Sequence, residues 1–147
     1  MSQRFDPSKL IPEGYKAMYG VHLKVQNSGL NVGLLELVRL RVSQINGCAA
    51  CVAMHVPLGR EHGLSEHQVN LAAVWRDAPV FSPRERAALA WAEAVTVLTG
   101  QDVPDAAYAQ VSAEFTEQEI AHLTLAIGEI NLWNRLNIAS RTPPALS

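Results

Sequence analysis

Apolar residues recur along most of this chain at the three-and-four spacing of a helix, and no stretch alternates convincingly with the period of two that marks a strand. The clearest case is "EQEIAHLTLAIGEINLWNRLNIASR", where Ile120, Leu123, Ile127, Ile130 and Leu132 or Trp133 form one stripe that ends before "TPP". Three starts are written in capping boxes, at Ser65 to Gln68, Ser82 to Glu85 and Thr116 to Glu119. Each puts a hydroxyl three residues before a Glu or Gln, which satisfies orphan amides at a helix start. Leu64 can staple to Val69 and Phe115 to Ile120, and Pro83 takes the favoured first helical position. Gly100 is the expected end of the helix that Ser82 opens, a helix rich in alanine that lets a neighbour approach closely. Earlier helices are predicted over about Pro12 to Gln26 and Asn31 to Asn46. With no repeat, low-complexity tract or second composition, the expectation is one all-α domain over residues 1–147, a bundle of about six to seven helices.

Asn46-Gly47 is a helix stop, because both residues tolerate the left-handed conformation of a C-terminal cap. A new helix can then begin at about Cys48. That start puts Cys48, Cys51 and His55 at i, i+3 and i+7, on one face. Upstream, Glu36 stands among Leu34, Leu35, Leu37 and Val38, where a charge risks burial unless it has a partner.

Composition narrows what this cluster can be. A chain of 147 residues buries roughly 70% of its unfolded surface and needs no covalent staple. The start "MSQRFDPSKLIPEG" lacks the features of a signal peptide, and no run of about 20 apolar residues is present to span a membrane. A cytoplasmic protein with reduced resting thiols is expected. The net charge of −2, with basic residues scattered, argues against a nucleic-acid partner. The 48% hydrophobic content, together with the alanine-rich helix, suggests burial against further copies of the chain.

Three readings of the cluster are open, two of them chemical. A thiol in the first turn of a helix sees the positive end of the dipole, which favours the reactive thiolate, and two cysteines at i and i+3 can close to a disulfide. His55 could pass a proton between that pair and Glu36, whose pKa burial would raise. Zinc is the rival, with Cys48, Cys51 and His55 joined by Glu36 or His62 as ligands. The plainest reading has two small cysteines packed in the core and Glu36 facing outward to pair with Arg39. A c-type haem is excluded, since Val52 stands where the attachment motif needs histidine. His22, His62, His67 and His122 read as surface or satisfied side chains.

The segment "LLELVRLRVSQINGCAACVAMH", Leu34 to His55, resembles the core motif of the AhpD-like alkylhydroperoxidases in the carboxymuconolactone decarboxylase superfamily. Its Glu, the C-x-x-C twelve residues on, and the histidine four residues later all fit, and "FSPRERAALAWAEAVT" and "INLWNRLNIASRTPP" extend the likeness more weakly. The resemblance implies an AhpD-like helical bundle that assembles as a trimer or hexamer. It implies reduction of a small hydroperoxide at the expense of an unidentified thiol or dithiol donor, with no cofactor and no metal. By the same resemblance Glu36 is the base, His55 the relay, Cys48 the cysteine that attacks peroxide and Cys51 its resolving partner. Ala50 departs from the histidine or tyrosine that relatives place before the second cysteine, which implies slower or differently tuned turnover. Two alternatives stay open: acid–base catalysis without redox, as in the decarboxylases of the superfamily, and a redox sensor without turnover.

Overall fold

The computed structural model describes residues 1–146, and among them every regular element is helical. The order is α1 (Pro7–Leu10), α2 (Pro12–Gln26), α3 (Val32–Asn46), α4 (Ala49–Glu61), α5 (Glu66–Leu71), a 3₁₀ turn (Ala72–Asp77), α6 (Pro83–Thr96), α7 (Asp105–Ser112) and α8 (Glu117–Ser140). The all-α expectation holds, and so do the three capping boxes, each closed in both directions. No described helix is long and apolar enough to cross a membrane.

Helix α3 is the axle of the bundle. It packs against α4, α6 and α8, so nearly its whole circumference is covered, and Glu36, Arg39 and Ser43 are buried along with its apolar side chains. One part of the core joins its Leu35 and Val38 to Ala88 of α6 and to Leu123 and Ile127 of α8; another joins Leu37 and Leu40 to Val69, Trp75, Phe81 and Leu89. Gly33 lets α3 lie close to the end of α4, since a Cβ there would come within 2.5 Å of the His62 carbonyl oxygen, and Gly59 makes room for Leu64, a methyl of which would lie 2.8 Å from a Cβ on it.

Three expectations need correction. Helix α6 ends at Thr96, not at Gly100, because Val95, Thr96 and Val97 form a β-branched run that weakens its last turn. Gly100 instead takes a positive φ in the connection that follows. The alanines of α6 face inward: Ala87, Ala88, Ala90 and Ala92 are buried against neighbours within the chain, so they give no support to contact between copies. Finally, α1 and α7 went unpredicted. The first is a single turn capped by Asp6, and the second starts at Pro104, which has no side-chain cap to announce it.

Candidate active site

The link between α3 and α4 builds the site. Gly47 closes α3 in the left-handed conformation, as Asn46-Gly47 predicts, and the Cys48 amide returns to the Ser43 carbonyl at 2.9 Å. The new helix begins one residue later than expected. Cys48 is its N-cap, with Sγ accepting the Cys51 amide at 3.3 Å, an arrangement that stabilises negative charge on that sulfur. Cys51 lies within the first turn and His55 one turn further on the same face. The two cysteines form a disulfide, with Cα atoms 5.3 Å apart, and both are buried.

Glu36 of α3 meets His55 from the side. Its Oε2 lies 2.7 Å from His55 Nδ1, and its Oε1 accepts from Arg39 Nη1, also at 2.7 Å. Both partners foreseen for Glu36 are therefore present together. The outward-facing pair is not: Glu36 is 2% exposed and Arg39 1%. Nor is the carboxyl raised toward neutrality. Burial pushes it up, but the His55 hydrogen bond and the positive charges of His55 and Arg39 outweigh burial and hold it below its ordinary value of 4.5. Glu36 is thus a fixed anion, and since a carboxylate only accepts, the hydrogen between the two residues sits on His55 Nδ1.

Arg39 carries the network further. Its guanidinium also donates to Gln26 at 2.9 Å and to Glu129 of α8 at 3.4 Å, and Glu129 in turn holds His22 Nδ1 at 2.7 Å and Trp133 Nε1 at 3.1 Å. A cavity of about 640 Å³ lies over these groups, between α2, α4 and α8. Cys51, His55, His22 and Glu129 line it, with Tyr15 and Trp133 among its aromatic walls. Asn137 reaches it from the last turns of α8 and lies 3.5 Å from Cys51 Sγ. Cys48 lines instead an adjoining, smaller cavity of about 450 Å³ next to Arg141 and Pro144, with Asn137, Thr142 and Pro143 between the two. Ala50 lines both cavities, and its methyl offers neither of them a polar group.

The zinc set does not assemble: the two sulfurs bond each other, Glu36 is taken by His55 and Arg39, and His62 caps the far end of α4. Among the described residues no group of three or more His, Cys, Asp or Glu side chains converges as metal ligands. Sequence reasoning set His22 among the surface or satisfied histidines, and the structure shows it satisfied, by Glu129, a residue that the sequence reading did not single out. The signal for Glu129 was nonetheless present, since "AIGEINLW" embeds a lone carboxylate among apolar residues just as "LLELV" embeds Glu36.

Residues 11–94, which carry the cysteine pair, His55 and Glu36, match the model of the carboxymuconolactone decarboxylase family. The chain belongs to that family. Within it the chain is AhpD-like. It is 37% identical to the uncharacterized protein YdfG of Bacillus subtilis over 95% of each chain, and 35% identical to the uncharacterized YnjA of Escherichia coli over 86% of this chain and 69% of that one. Among solved structures it matches a protein of unknown function from Agrobacterium tumefaciens, described as a candidate AhpD antioxidant-defence protein, with a TM-score of 0.96 and 42% identity over 99% of this chain and all of the other. A peroxidase-related protein with an AhpD core from Ralstonia eutropha superposes with a TM-score of 0.80 over 91% of this chain and 72% of its own; at 24% identity that likeness is one of fold.

Proposed function

We propose that this AhpD-like member of the carboxymuconolactone decarboxylase family is a thiol peroxidase that reduces hydroperoxides through a Cys48–Cys51 disulfide cycle. The observation that carries the reading is the convergence of a bonded C-x-x-C pair and a carboxylate-held histidine, with Cys51 and His55 lining one cavity. With Nδ1 committed to Glu36, the free nitrogen of His55 is Nε2, which takes the Cys51 proton; Glu36 stabilises the imidazolium that results. Glu36 therefore acts through His55 and is not itself the acceptor.

The cavity favours an exchange of the two cysteine roles that the family resemblance suggests. Cys51 thiolate attacks the peroxide oxygen, an S–O bond forms as O–O breaks, and the departing oxygen leaves as an alcohol or water once protonated. Cys48 then attacks the sulfenic acid, forming S–S and releasing water. In the return half, a donor thiol attacks Cys51 from the cavity and Cys48, stabilised at the N-cap, leaves as thiolate; a second donor thiol then attacks the mixed disulfide, the donor leaves as its own disulfide and Cys51 is freed. Assembly as a trimer or hexamer belongs to the same proposal and finds support in the apolar side chains that α2 and α8 expose, including Leu23, Leu132 and Ile138. A monomer in light scattering at micromolar concentration removes that part.

The test is to reduce the protein, titrate it with an organic hydroperoxide and count thiols. Loss of two thiols per chain with one equivalent of alcohol formed is the expected result. Activity on a carbonyl or lactone substrate that survives cysteine alkylation would replace this reading, and reversible oxidation without turnover by any dithiol would reduce the protein to a sensor.

A further inference from the structure

The mechanism above uses one end of the buried charge network and leaves the other idle. That other end has the same construction. Glu129, buried on α8, holds His22 Nδ1 of α2 at 2.7 Å, as Glu36 holds His55. Arg39 joins the two pairs, to Glu36 at 2.7 Å and to Glu129 at 3.4 Å, and both histidines line the cavity on which Cys51 opens. Glu129 has a structural share here, since Glu36 and Gln26 both accept from Arg39 Nη1 and Nη2 is left to Glu129 Oε2 and His22 Nδ1, each at 3.4 Å. The shorter contact of Glu129 is the one to His22, a part-exposed imidazole that Arg39 does not need. Trp133 Nε1 and the ring of Tyr19, stacked on His22, complete the setting of the pair.

Charge bookkeeping gives the pair a purpose. Two glutamates and one arginine sum to −1 while both imidazoles are neutral, and to zero when one imidazole is protonated. Arg39 Nη2 also lies 3.4 Å from His22 Nδ1, so the one cation touches both carboxylate–histidine pairs. We propose that His22, oriented by Glu129, is the general acid of the reaction, placed to protonate the oxygen that leaves while His55 serves as the base for Cys51. The proposal rests on the peroxidase reading. In the step itself the Cys51 sulfur gives up an electron pair to form S–O, the O–O pair passes to the leaving oxygen, and the His22 Nε2 proton goes to that oxygen as R–OH. Glu129 is a positioning residue, fixing the hydrogen on Nδ1 when His22 is neutral so that Nε2 remains the exchanging nitrogen.

A cavity of about 640 Å³ walled by Tyr15, Tyr19, Leu58 and Trp133 has room for the alkyl hydroperoxide of the peroxidase reading. Its O–O cleavage releases a strongly basic alkoxide, a leaving group that needs an acid.

His22 keeps 27% of its side chain exposed, so His22→Gln should fold. Single-turnover oxidation of the reduced protein is followed with cumene hydroperoxide, whose alkoxide must be protonated, and with peracetic acid, whose carboxylate leaves without a proton. His22→Gln should slow the first by about 100-fold, within the usual range for general-acid catalysis, and the second by less than about 3-fold. Glu129→Gln should show the same selectivity at smaller amplitude. Equal slowing of both oxidants, or of neither, in both variants overturns the assignment of His22 as acid while leaving the peroxidase reading in place. Failure of the wild-type protein to form the Cys48–Cys51 disulfide with either oxidant removes both.

Discussion

Replacing Arg39 with Met tests whether the buried network is organised by charge. The methionine retains most of the apolar stem, so packing is largely kept and the guanidinium alone is lost. Glu36 and Glu129, 2% and 5% exposed, then face each other through the core without their shared cation, and Gln26 loses its donor. Removing one member of a buried ion pair costs about 3–5 kcal/mol, and a domain of this kind has about 5–15 kcal/mol in all. At about 2–4 °C per kcal/mol for this chain length, the midpoint of thermal unfolding should fall by roughly 10 °C. The loss carries a pH signature. In the wild-type protein both carboxyls lie below 4.5, because their partners outweigh burial, so their contribution is full above that value and is lost as pH falls through the lowered values. Without Arg39 the burial that pushes both carboxyls up is opposed only by the histidines and, at Glu129, by Trp133 Nε1, and the folded variant takes up protons at higher pH than the wild type does. Its deficit should therefore be greatest near pH 7 and shrink toward pH 5. Urea unfolding of both proteins at the two pH values reads this directly. A loss below about 1 kcal/mol that is equal at both would refute the argument and make Arg39 a space-filler.

Other outcomes follow from the same geometry. Glu36→Gln should lower peroxide-dependent oxidation by roughly 100-fold with helicity unchanged, since the amide cannot stabilise the His55 cation; an unchanged rate between pH 6 and 8 would take Glu36 out of the chemistry. In Cys48→Ser, dimedone should trap a sulfenic acid on Cys51, while Cys51→Ser should label Cys48 far more slowly. Faster labelling of Cys48 would restore the roles that the family resemblance implies. Acid titration of the reduced protein should show stability falling from about pH 4.5 downward as Glu36, Glu129 and Glu93, all held below that value, take up protons; a flat profile to pH 3 would contradict those lowered values.

What could be read from the sequence was local. The capping boxes, the Asn46-Gly47 stop and the i, i+3, i+7 stripe each depend on residues within two turns of one another, and each has its counterpart in the structure, apart from the one-residue shift that makes Cys48 a cap. Glu36 was found because a lone carboxylate in an apolar run must be paired or neutralised. Its two rival readings, as partner of His55 or of Arg39, excluded each other only on the assumption that the helix has one wet face. Helix α3 has none, and the carboxylate serves both. The His22–Glu129 pair spans 107 residues and exists only where α2 and α8 meet. No periodicity within either helix encodes that meeting. The alanines of α6 misled for the same reason: small side chains announce a close neighbour but not whether it belongs to the same chain.

Trp133 gives this site an optical handle. It sits edge-on to Tyr15 at 5.0 Å, donates to Glu129 and lines the Cys51 cavity, whereas Trp75 and Trp91 are buried in the core and line neither cavity. A disulfide quenches a nearby indole, and a changed charge on Glu129 or His22 shifts its emission. Fluorescence of the unlabelled protein should therefore follow oxidation and reduction in real time, and Trp133→Phe should erase the signal while the slower chemical thiol count still registers the reaction. The chain would then serve as its own stopped-flow indicator, without an added dye to react with its thiols.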